Sequence, residues 1–215
     1  MNPRHRRLAE IALSAAGKDH GLALAGGYAV RAHGMGERPS SDIDLFTDWQ
    51  SRADFPAVVD IVMTALRSEG YTVTVDTQAD TFARLLIGDG NGDSEKVELA
   101  ADWRAHPPVF LDIGPVLHPD DAVGNKLAAL YGRAVARDFL DVHAILDGGR
   151  YTRAKLLALA EATDSGFDRS MFADALGMAE GISDGTFAAY GTDAPTIAAL
   201  REMFADWRQE LLGSV

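Results

Sequence analysis

"GGYAVRAHGMGERPSSDIDLF", residues 26–46, is the stretch on which the fold turns. Two adjacent glycines close an apolar run, and further on two aspartates flank a single isoleucine inside another apolar run. "DIDLFT" alternates as a strand does, and in a strand residues i and i+2 share a face. Asp42 and Asp44 therefore point one way while Ile43 and Leu45 point into a core. At a rise of ~3.3 Å per residue their Cα atoms lie ~6.5 Å apart. Two unpaired carboxylates at that separation repel by ~2–3 kcal/mol at an effective dielectric of ~20, so a cation is expected between them. Mg²⁺, a hard ion that takes one or two carboxylates plus substrate phosphates, suits the spacing. A D-x-D alone also describes solvated aspartates on an exposed strand. Aspartate is depleted in strands, however, and a pair within so apolar a run asks for a reason. Gly26 and Gly27 upstream offer backbone N–H groups that a phosphate can approach with no Cβ in the way.

Working outward, apolar periodicity predicts a first helix over about 3–16, with Leu8, Ile11, Ala12 and Ala15 on one face. "GLALAGG" reads as a short buried strand broken by glycines, and "YAVRAHGM" as a short helix. A helix follows over 54–69, then strands over 71–77, 82–88 and 95–102. "GDGNGD" between the last two strands is turn chemistry for a hairpin. From residue 119 every periodic segment is helical: 119–133, 136–147, 151–163, 167–179 and 194–212, with the region from Phe167 to Phe187 reading as core. The composition changes over "AHPPVFLDIGPVLH", 105–118. The expected architecture is α+β over residues 1–118 followed by a helical domain over 119–215.

Bulk properties limit the function classes. The chain has 215 residues, 47% of them apolar, and no run near the ~20 apolar residues of a membrane span. It has no cysteine, which excludes disulfides, thiolate metal sites and cysteine nucleophiles. "MNPRHRRLAEIAL" is basic but lacks a secretory apolar block, so a cytoplasmic location is expected. The six histidines show no H-x-x-x-H or H-E-x-x-H spacing, which argues against zinc. A net charge of −12 argues against a non-specific nucleic-acid binder. The charge is uneven: residues 1–50 are neutral, 51–120 carry −7, 121–155 carry +2 and 156–215 carry −7. The two segments without negative excess hold the motifs, so a local polyanion site on an acidic body is possible.

A third acid should come from a neighbouring strand. In "KVELAAD", Val97 and Leu99 face one way, and Glu98, Ala100 and Asp102 the other. Glu98 sits mid-strand and is preferred; Asp102, at the fraying end, is the alternative. Further on, Lys126 and Arg133 are seven apart on one helical face, and Arg137 joins them if that helix continues. Such a stripe suits a triphosphate, though most Lys/Arg stripes are solvated faces. Arg137 and Asp141 are spaced to pair at i,i+4, and Asp138 shares a face with Asp141. Arg38 either meets a phosphate or braces the strand. Ser40 is either a nucleotide contact or a strand-entry residue, and His33 either lines the glycine turn or packs a helix end.

"GGYAVRAH" at 26–33, "RPSSDIDLF" at 38–46 and "NKLAALYGRAVARDFLDVHAIL" at 125–146 together resemble the polymerase-β-like nucleotidyltransferase superfamily. Within it, the AbiEii/MenT-type toxin family is the nearest likeness. The resemblance covers about residues 20–147 and does not fix the third acid. It implies Mg²⁺ held by Asp42, Asp44 and a third acid, a nucleoside triphosphate as donor, and an attacking hydroxyl on the 3′ end of tRNA. It also implies a cognate antitoxin. Lys126 and Asp141 match the family's lysine and aspartate, with Arg137 beside them. Lys126 is assigned to the phosphates, and Asp141 to orienting Lys126 or the acceptor. Competing readings are a small-molecule nucleotidyltransferase of the antibiotic-modifying kind, a CCA-adding enzyme and a non-catalytic binding module. "RDFLD" lies far downstream of the place where the CCA-adding class carries its arginine–aspartate element.

Overall fold

A computed structural model describes residues 1–90, 92 and 94–213. The chain divides into two compact units, one of residues 1–33 and 39–119, the other of residues 34–38 and 120–215.

The first unit is built on a seven-stranded sheet in the order β3-β4-β5-β2-β1-β7-β6. Its strands are β1 (Ala23–Leu24), β2 (Asp42–Asp48), β3 (Thr72–Gln78), β4 (Phe82–Gly88), β5 (Ser94–Asp102), β6 (Val109–Leu111) and β7 (Gly114–Val116). The helices are α1 (Pro3–His20), α2 (Gly26–Ala32) and α3 (Phe55–Ser68), with a 3-10 turn over Trp49–Asp54 leading into α3. The α+β expectation holds. Ile43, Leu45, Leu85, Val97 and Leu99 are fully or almost fully buried, and so are Leu8, Val59 and Leu66 of α1 and α3. The alternate residues of β2 and β5 are half-exposed, as a sheet with one covered face requires.

Local chemistry sets the ends. Asn2 caps α1 by accepting from the backbone N–H of Arg4 at 2.8 Å, and Gly21 ends it at φ 64°. The helix therefore runs past the expected stop at 16, with Gly17 buried inside it. α2 starts at Gly26 itself rather than after the glycines. β6 and β7 were not expected; they are three residues each, too short to show a period, and one contains a proline. β4 and β5 pair antiparallel with Gly88 opposite Ser94. Of the "GDGNGD" turn between them, Asn91 and Asp93 lie outside the described residues.

The second unit is helical: α4 (Pro119–Arg133), α5 (Ala136–Asp147), α6 (Arg153–Thr163), α7 (Arg169–Gly177), α8 (Asp184–Ala188) and α9 (Ala194–Gly213). Its core is aromatic. Phe172 meets Trp207 edge-on at 5.2 Å and Phe139 meets Phe204 at 5.0 Å, all four with no exposed surface. Phe187 is fully buried too, whereas Phe167 is half-buried against Tyr131. Among the described residues no helix is long and apolar enough to cross a membrane.

Candidate active site

Asp42 and Asp44 stand on the face of β2 opposite Ile43 and Leu45, both half-exposed. β2 pairs with β5 in parallel, in the register Asp42–Lys96, Asp44–Glu98 and Asp48–Asp102. Glu98 is thus the direct cross-strand neighbour of Asp44. Asp102 lies four residues further along, ~13 Å at the strand rise. The tertiary structure sets Glu98, not Asp102, beside the D-x-D pair.

Gly26 is locked against that pair. It has φ 58°, in the left-handed region that favours glycine, and a Cβ placed on it would sit 1.7 Å from Oδ2 of Asp44. The glycine is therefore required twice, by its backbone and by the closeness of the carboxylate. The backbone N–H of Ala25 also donates to the Asp44 carbonyl oxygen at 2.8 Å. Ser40 donates through Oγ to Oδ1 of Asp42 at 2.9 Å. His33, at the end of α2, bonds through Nε2 to the Leu117 carbonyl at 2.8 Å, so it ties a helix end.

Arg84 is a member of this face that the motif reading missed. Its Nε donates to Oε1 of Glu98 at 2.8 Å. The hydrogen bond and charge of Glu98 raise the Arg84 pKa above its ordinary value. Oxygens of Asp42, Asp44 and Glu98 do not all lie within 4.8 Å of one another. The hairpin register pairs Arg84 with Glu98, and extrapolating from a Gly88–Ser94 closure would have found the pair. Arg6, Tyr28, Arg31 and Phe110 line a cleft of about 680 Å³ in the same unit; the three acids are not part of its lining.

In the second unit Arg38, Lys126 and Asp141 form a buried ionic cluster. Asp141 accepts from Arg38 in a two-pronged bond, Nε to Oδ1 at 2.8 Å and Nη2 to Oδ2 at 3.0 Å. Lys126 Nζ lies 2.8 Å from the same Oδ2. Lys126 and Asp141 are 7% and 5% exposed, and the Arg38 guanidinium lies 5.4 Å from the centre of the Tyr190 ring. Burial alone would raise the Asp141 pKa. The hydrogen bonds and charges of Arg38 and Lys126 outweigh it, and the carboxyl is held below its usual range. The expected i,i+4 pair of Asp141 is thus replaced by partners far away in sequence.

The stripe of Lys126, Arg133 and Arg137 does not form. The helix breaks after Arg133 at Ala134, which has φ 44°, and α5 begins at Ala136. Arg133 folds onto Asp138, donating from Nε at 2.8 Å and from Nη2 at 2.7 Å. Asp138 has no exposed surface and accepts from the Val135 backbone N–H as well. It closes the break, and Arg137 falls in the first turn of the new helix.

The nucleotidyltransferase toxin MenT4 from Mycobacterium tuberculosis H37Rv is similar at TM-score 0.61 and 19% identity, over 97% of this chain and 86% of that one. JHP933 from Helicobacter pylori is similar at TM-score 0.51 and 17% identity, over 98% and 92%. ANT(2")-Ia, solved with adenylyl-2"-tobramycin, is similar at TM-score 0.51 and 16% identity, over 75% and 98%. Identities this low establish a shared fold and nothing finer. No curated protein matches the sequence. Residues 6–213 match the family model described as the nucleotidyl transferase AbiEii toxin of type IV toxin–antitoxin systems, and the chain is a member of that nucleotidyltransferase family.

Proposed function

We propose that the chain moves a nucleoside monophosphate from a nucleoside triphosphate onto a hydroxyl at the 3′ end of tRNA, in the cytoplasm, blocking translation until a cognate antitoxin restrains it. The close seating of Asp44 on Gly26 carries the reading. A backbone shaped around one carboxylate is what a site fixing a charged ligand needs, and a merely solvated aspartate does not.

Asp42, Asp44 and Glu98 would hold Mg²⁺: the donor set is all hard oxygen, half-exposed, on one face of paired parallel strands. Once bound there, the ion would polarise the α-phosphate and offset charge on departing pyrophosphate. The chain's own groups do the rest. Gly26 makes room for Asp44 itself, and the backbone N–H groups of Gly26 and Gly27 are assigned to the triphosphate. Ser40, which donates to Asp42, is assigned to the nucleotide as well. Lys126, held by Asp141, is assigned to the phosphates, with Arg38 and Arg137 as further nucleotide-binding cations. The acceptor oxygen forms a new bond to the α-phosphorus as the bond to the β-phosphate bridge breaks. Its proton passes to a site carboxylate or to water.

Glu98→Gln is expected to lower turnover by about 10²-fold, with Asp102→Asn within about threefold of wild type. The opposite ranking, read from initial rates, would shift the third-acid role to Asp102.

One observation favours a small acceptor instead. The basic N-terminal side chains that a tRNA acceptor would draw on for its phosphates already face carboxylates: Arg4 faces Asp89 and Glu95, Arg6 faces Glu10 and Arg7 faces Glu69. Each must exchange an acid for a phosphate. Incubation with each labelled triphosphate, Mg²⁺, and either total tRNA or small hydroxyl compounds separates the two. A tRNA acceptor should show a Michaelis constant rising steeply with salt, with a log–log slope of about −2 to −4 for affinity. A flat response, or transfer only to a small compound, would overturn the tRNA reading.

A further inference from the structure

A run of buried and half-buried polar contacts joins the first turn of α1 to Asp42, and the proposed chemistry uses only its last link, from Ser40 to Asp42. His5 is 3% exposed. Its Nε2 lies 2.8 Å from Oε2 of Glu95, and its Nδ1 lies 2.6 Å from the Tyr28 hydroxyl. Tyr28, 4% exposed, donates to the Ser40 carbonyl oxygen at 3.2 Å. Ser40 in turn donates to Oδ1 of Asp42 at 2.9 Å. Arg4 steadies the far end, its Nε 3.5 Å from Oε1 of Glu95.

Counting hydrogens shows that the chain of contacts is complete. A phenol has one hydrogen. Given to Ser40, it leaves the phenol oxygen to accept from Nδ1 of His5 while Nε2 donates to the Glu95 carboxylate; both ring nitrogens then carry a hydrogen, so the ring is the imidazolium form ion-paired with Glu95. Every polar side-chain atom of His5 and Tyr28 is then satisfied. Burying an imidazolium and a phenol costs free energy that an apolar pair at these two positions would not incur; a fully bonded network gives rigidity in return. Rigidity is what this stretch lacks by itself, since residues 33–41 form neither helix nor strand and have no ladder to hold Ser40.

We propose that His5 and Tyr28 are positioning residues for Asp42. By holding the Ser40 carbonyl they keep the Ser40 hydroxyl on Oδ1, which fixes the rotamer in which the carboxylate is offered to the metal. This rests on the metal-binding reading of Asp42.

The test uses the full chain and Mn²⁺ as probe, titrated by electron paramagnetic resonance, beside transfer kinetics. Tyr28→Phe keeps the ring and removes the link. It is expected to weaken Mn²⁺ binding about tenfold, as loss of a partner behind a metal ligand typically does, and to lower kcat more than it raises KM for the triphosphate. The double variant His5→Leu/Tyr28→Phe removes both polar partners and so separates stability from positioning; it should melt near wild type yet bind Mn²⁺ as weakly as Tyr28→Phe. Ser40→Ala should show the same weakening, and adding Tyr28→Phe to it should add little, because both cut one chain. Wild-type Mn²⁺ affinity in Tyr28→Phe, or effects that add fully with Ser40→Ala, would overturn the proposal. Wild-type protein whose Mn²⁺ binding is absent, or survives Asp42→Ala, overturns the metal reading itself. That failure is distinct because it appears before any change to His5 or Tyr28.

Discussion

Asp42→Ala and Asp44→Ala should each cut nucleotidyl transfer by about 10³-fold or more while the protein stays folded, with an unfolding midpoint near or above that of wild type. The size follows from the role: a carboxylate fixing a divalent ion bears on both substrate alignment and leaving-group charge, and losing one such electrostatic element costs ~10²–10³-fold or more. The indifference of stability follows from position. Both side chains are half-exposed on the open face of β2, and Ile43 and Leu45, which bury the strand, are untouched. Removing one of two like charges also relieves repulsion of ~2–3 kcal/mol at most. Gly26→Ala should lose activity to a similar degree by a different route, because the new Cβ would occupy the space of Oδ2 of Asp44. Labelled-triphosphate transfer and a thermal melt of the three variants check this. Transfer within tenfold of wild type in either aspartate variant would remove the metal-site assignment.

Asp141→Ala should behave in the opposite way, losing about 3–5 kcal/mol of stability, the usual cost of removing one partner from a buried ion pair. Arg38 and Lys126 both bond this one carboxylate, and Lys126 is 7% exposed. The lowered pKa fixes the pH dependence. The folded carboxyl titrates below its unfolded value, so its stabilisation is fully present above the unfolded pKa of ~3.9. It is lost as pH falls through the lower folded value. Denaturant melts of wild type and Asp141→Asn should therefore differ most near neutral pH and converge as the solution is made more acid than about pH 4. A gap independent of pH would show that the carboxylate charge is not what Asp141 contributes. Lys126→Ala, measured beside it, should depress triphosphate use with any acceptor.

Much of the molecule is written locally. The alternation of β2 put Asp42 and Asp44 on the face away from the core, because a strand's period of two is a covalent fact. The same rule placed Glu98 opposite Val97 and Leu99. Helices with a strong apolar stripe, such as α3, were legible to within a residue or two. Where the local pattern is short or broken, it fell silent. Three-residue β6 and β7 complete no period, and the end of the first helix was decided by a cap at Gly21 instead of by periodicity. The family motifs named Lys126 and Asp141, yet the spacing suggested a continuous basic helix that Ala134 interrupts.

What only the tertiary structure decided is who meets whom. Sequence spacing offered Arg137 to Asp141; folding brought Arg38, 103 residues away, and gave it a two-pronged geometry that an i,i+4 neighbour does not supply. Sequence left Glu98 and Asp102 both open; the parallel register of β2 and β5 set Glu98 beside Asp44 and Asp102 beside Asp48. His5 carried no motif and Tyr28 only a place within the glycine motif, and their link became visible only in the fold, with His5 between Tyr28 and Glu95. The division has one physical reason. Backbone sterics and apolar period act over a few residues and can be read along the chain. Charge pairing and hydrogen-bond chains act through space, and their partners are chosen by the packing of the core.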